Sequence, residues 1–141
     1  MKTFTMILKC IGILILSFIV IIIVNSGHDP LINAIVAGHA KDHIPSGQTA
    51  ELISLAIVFV AGFLAAIVVS LLAGKQRVIL LSILTVLFSA ADLHAVLTDL
   101  AVTDLWYRIL TVSTVPLQVW TGHQFVLRFL KGTFGDSFSS Q

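Results

Sequence analysis

Four long apolar runs separated by short polar breaks frame this chain. The first covers 6–24 and is interrupted only by Lys9, Cys10, Gly12 and Ser17. A bilayer's hydrocarbon core, about 30 Å thick, needs ~20 helical residues, so this run can span once Lys9 snorkels to the interface. A secretory signal is the rival reading, because Lys2 and Lys9 resemble a basic n-region. The long apolar core and the poor cleavage site Val24-Asn25-Ser26-Gly27 favour an uncleaved helix. Three further runs follow at 50–73, 78–97 and 105–130. The pattern predicts an all-α integral membrane protein, an antiparallel bundle of four transmembrane helices. Residues 1–131 would form that single domain, and 132–141, polar with Gly and Ser, a flexible cytoplasmic tail.

Polar positions refine the runs. In the long first connection, Asp29-Pro30 is a helix start, since Asp caps and Pro suits the first helical position. Leu31, Ile32, Ile35 and Val36 then share one face, which predicts a short amphipathic segment over 30–43. Ile44-Pro45-Ser46-Gly47 ends it, and Ser46 or Thr49 would cap the next helix with Glu51 in its first turn. The second run carries Gly62, Ala66, Ser70 and Gly74 at intervals of four, a ridge that lets helix backbones approach closely in lipid. Its partner is either another subunit or, within the chain, helix one or three.

The third run has a stripe of Ser82, Thr85, Ser89 and Asp92 at helical spacing. The fourth has Arg108, Thr111, Thr114, Gln118 and Thr121, with Pro116 expected to kink it. Turned toward each other, the two stripes would supply hydrogen bonds between helices. Asp92 and Arg108 come out at roughly 8 and 5 Å from the outer surface at 1.5 Å per residue. Charge inside a bilayer normally finds a partner, so an Asp92–Arg108 clamp is expected, with Asp104 as a local competitor for Arg108.

Composition confirms the class and narrows the chemistry. The 141 residues are 57% hydrophobic and only 11% charged, against roughly 25% charged in soluble domains. Cys10 is the sole cysteine, so neither an internal disulfide nor a cysteine-based zinc site is available. No basic cluster interleaved with aromatics occurs, and nucleic acid is not an expected partner. Lys2, Lys9, Lys75, Arg77, Arg128 and Lys131 mark one side of the predicted bundle, against Lys41 alone on the other. The positive-inside rule then puts both termini in the cytoplasm. Ile-rich spans and short loops suggest a bacterial inner membrane.

Candidate chemistry is sparse. His39 and His43 would share a helix face, and with His94 or Asp92 they form a candidate divalent-metal site. The competing reading is that outer loops lose Lys and Arg but keep His. His94 and His123 fall at opposite ends of their helices, which argues against a haem held between them. There is no Gly-rich phosphate loop, GxSxG elbow, HExxH or CxxC. Trp106, Tyr107 and Trp120 read as interface anchors. The expected function is that of a small non-enzymatic membrane subunit or accessory protein, packing with other membrane subunits or with itself in the bilayer and carrying no cofactor. The alternative is a small transporter or channel for protons or a divalent cation, using Asp92 and the outer histidines. A redox or quinone- or lipid-linked subunit comes third.

Overall fold

The structure, a computed structural model, describes residues 2–27, 34, 47–98 and 105–130. All its elements are helical: α1 (Lys2–Ser26), α2 (Gly47–Leu72), α3 (Arg77–Thr98) and α4 (Leu105–Phe125). A π-helical turn, Val126–Leu130, extends α4, and a 3-10 turn, Gly74–Gln76, joins α2 to α3. The apolar runs therefore become helices close to the expected limits. The amphipathic segment 30–43 and the tail 132–141 lie outside the described residues.

Packing is centred on α2, which lies most extensively against α4 and α1, while α3 leans on α4 and α2. Small residues make this possible: Ala61, Ala65, Ala66 and Val69 on α2 are fully buried. From α3, Leu80, Leu81, Leu84 and Phe88 enter the core, and from α4, Val115 and Val119. The α2–α3 connection is tight because Gly74 adopts φ +53°, a left-handed conformation that side chains resist. Gln76 Nε2 meets Met6 Sδ at 3.5 Å and ties this turn to the start of α1.

Helix α1 behaves differently. Only Ile13, Ser17 and Ile21, a single stripe at intervals of four, are buried in it. Ser17 returns its hydroxyl to the Ile13 carbonyl at 2.8 Å, so no polar group is stranded there. Ile7, Leu8, Ile11, Ile15, Ile22 and Ile23 are all exposed. A helix apolar on every side is suited to an apolar surrounding rather than to water.

Three stretches are long and apolar enough to cross a membrane, Thr3–Ser26, Glu51–Leu72 and Gly74–Thr98, which marks the chain as a membrane protein. Four spans were expected, and α4 does not meet that measure. The reason is visible in its packing. Thr111, Gln118 and Gly122 are buried on its inner face, and a helix sheltered by neighbours need not be apolar all round.

Candidate functional site

The polar interior lies where α2 crosses α4. Gln118 is completely buried there. Its Nε2 donates to Thr114 Oγ1 at 3.0 Å, while its Oε1 is buried with no hydrogen-bond partner. Gly62 of α2 makes room for it: a Cβ at Gly62 would collide with Gln118 Oε1 and lie 2.6 Å from Phe88 Cε1. One turn on, a Cβ at Gly122 would come within 2.5 Å of the Phe63 carbonyl oxygen and 2.8 Å of Ala66 Cβ. A further turn along, Ser70 Oγ and His123 Nδ1 are 3.1 Å apart. The ridge of Gly62, Ala66 and Ser70 is thus an intramolecular surface, and its partner is helix four. Gly74 is not part of that contact, since nothing lies within 4 Å of a Cβ built on it; its role is the turn.

Ser82 and Thr85 of the α3 stripe line a groove shared with Pro116, Val119 and Trp120 of α4. The inner face of α3 is Leu80, Leu84 and Phe88, while Ser82 is exposed and Thr85 and Ser89 are half-buried. Most of the hydroxyls bond along their own helix instead. Thr85 donates to Leu81 O at 2.8 Å, Thr111 to Tyr107 O at 2.9 Å and Thr114 to Thr111 O at 3.2 Å. Thr121 donates to Leu117 O at 2.8 Å and Gln118 O at 3.0 Å. A hydroxyl satisfied by its own backbone needs no partner across the interface, which removes the driving force for paired stripes.

Asp92, near the end of α3, and Arg108, in the first turn of α4, are both half-buried. Asp92 Oδ2 is buried without a hydrogen-bond partner. His94 is exposed on α3, and no group of three or more metal-ligating side chains occurs among the described residues. His39 and His43 lie outside them.

Sequence reasoning missed the end of the bundle at the α2–α3 turn. Lys9, Lys75, Arg77 and His123 line one cavity there, of about 380 Å³. Along its own helix each is only a boundary charge or a depth marker. Their convergence from α1, the turn, α3 and α4 depends on contacts across the bundle. The available signal was depth, because Lys9, Lys75 and Arg77 all fall at the same side by charge bias. Comparison with known protein families, with curated proteins and with solved structures finds no match, so the site is read from its own geometry.

Proposed function

We propose that this chain is a non-enzymatic, multi-pass protein of a bacterial inner membrane, with four crossing helices and both termini cytoplasmic. Its role is that of a small subunit or accessory protein packed within a larger membrane assembly. The observation that carries the reading is α1, attached to the bundle through Ile13, Ser17 and Ile21 and otherwise apolar and exposed. Helix association in lipid runs on close packing rather than on hydrophobic burial. Because α1 is held by one narrow stripe, most of its length is left for a second helical protein to pack against. The fourth crossing is supported by the length of α4 with its π turn and by the inward placement of Thr111, Gln118 and Gly122. To test it, a photo-crosslinker is placed at Ile15 or Ile19, both exposed on α1. The protein is then solubilised gently at native expression level and its particle sized. A discrete, stoichiometric partner linked through α1 is expected. A particle containing this chain alone, or only copies of it, rejects the subunit role.

A second reading, a small proton- or cation-handling transporter, is favoured by Asp92, whose buried Oδ2 has no partner. Intramembrane acids without a structural partner mark ion pathways. Asp92→Asn in proteoliposomes separates the two. The subunit reading expects unchanged proton leak, and a leak that falls with fold and insertion intact transfers the assignment to transport.

A further inference from the structure

The cavity beside the α2–α3 turn has both basic and apolar walls and lies next to an apolar groove. Lys9, Lys75, Arg77 and His123 line it, with no acidic side chain beside them among the described residues. The guanidinium of Arg77 adds a specific feature: its Nε is buried and donates to no acceptor. A buried donor on a permanent cation is satisfied best by an anionic oxygen. Val78 and His123 line this cavity and also a second one, of about 240 Å³, between α3 and α4. The walls of the second are Leu81, Ser82, Thr85, Pro116, Val119 and Trp120 besides those two. From Val78 to Thr85, and from His123 back to Pro116, each wall runs about 10 Å along its helix. A cationic pocket therefore adjoins a mostly apolar slot that follows α3 and α4 away from the turn.

We propose that this composite site holds an anionic glycerophospholipid, its phosphate among Lys9, Lys75 and Arg77 and one acyl chain in the α3–α4 groove. The inference rests on the reading that these helices cross the bilayer with this end at the cytoplasmic headgroup level. Charge complementarity selects the headgroup, since basic pockets between transmembrane helices on that side recognise acidic lipids. The contiguous groove selects a lipid over a free phosphate, because a soluble phosphate ester leaves the slot unfilled. His123 stands at the junction and is held by Ser70 at 3.1 Å.

The test uses full-length protein carrying Trp106→Phe, so that Trp120, on the groove wall, is the remaining tryptophan. It is reconstituted in phosphatidylcholine nanodiscs containing rising fractions of brominated phosphatidylglycerol or brominated phosphatidylcholine. Quenching of Trp120 is expected at a several-fold lower fraction of the anionic lipid. Lys75→Gln and Arg77→Gln should each weaken that preference about fivefold, the effect of one cation near an anionic surface. Arg128→Gln, an exposed cation outside the lining, should leave it unchanged. Should one variant misfold, the other and the salt dependence of wild-type quenching carry the same comparison. Equal quenching by both lipids overturns the proposal, as does an Arg128→Gln loss equal to that of Arg77→Gln. Displacement of the brominated lipid by millimolar glycerol phosphate would make the ligand a soluble phosphate ester and overturn the lipid. Carbonate extraction of membranes separates this result from the underlying reading: a chain washed into the soluble fraction defeats the membrane assignment, while one retained without lipid preference defeats only the binding site.

Discussion

Gln118 sets the energetics of the interior at the residue scale. Burying an amide costs free energy unless both ends are bonded, and here only Nε2 has a partner, Thr114. Leucine has nearly the same volume and no polar atom. Gln118→Leu should therefore raise thermal stability in detergent by about 1 kcal/mol, the surplus of the unsatisfied carbonyl over one lost hydrogen bond. A drop in stability would reveal an acceptor role for Oε1. The Ser70–His123 contact is expected to be worth about 1 kcal/mol in a double-mutant cycle of Ser70→Ala with His123→Leu. A coupling near zero would show that the two side chains are merely adjacent. Sequence spacing placed Gln118 correctly on the polar side of helix four, together with Thr111 and Thr114. It could not say which neighbour that side meets, because 3.6-residue periodicity defines a face and not its partner.

Helix four is defined as an element by what it leans on. Its contact with α2 depends on two glycines from opposite sides, Gly62 and Gly122, each opposed by atoms at less than van der Waals distance from a modest side chain. Gly122→Ala places its Cβ against the Phe63 carbonyl, a backbone atom that cannot swing aside, so α2 and α4 must separate. The expected cost is about 1–3 kcal/mol, read as a lower melting temperature in detergent. Gly74→Ala should cost about 1 kcal/mol for a different reason, the left-handed φ of the turn, with no loss of interhelical packing. Additive losses in the double variant, together with an unchanged crosslinking rate between α2 and α4 in Gly74→Ala, would bear out that separation of causes. The helix itself runs unbroken through Pro116.

At the scale of the whole molecule, charge gathers at one end. Lys9, Lys75 and Arg77 line a common cavity beside the α2–α3 turn, and Glu51 and Asp92 stand toward the far ends of α2 and α3. That polarity predicts a topology. Reporter fusions after Gly74 and at the C-terminus should read cytoplasmic, and one between Asp99 and Asp104 should read as outside. Removing Lys75 and Arg77 together should scramble this orientation more than removing Arg128, because the first pair fixes two helix ends at once. A cytoplasmic signal from the 99–104 insertion would mean that helix four does not cross.

The sequence alone determined the helices, their approximate limits and the membrane class. Those follow from run length and composition, which act locally through backbone hydrogen bonding and transfer into lipid. It also marked Gly62, Ala66 and Ser70 as a packing ridge, since close approach requires small residues whatever the partner. Only the tertiary structure decided that the ridge meets helix four and that Gln118 is the polar side chain enclosed there. Those outcomes depend on the rotation and depth of each helix relative to the rest, which arise from packing between residues fifty positions apart or more, such as Ser70 and His123. The basic cavity belongs to the same class: its cations were visible one by one, and only the bundle brought them together.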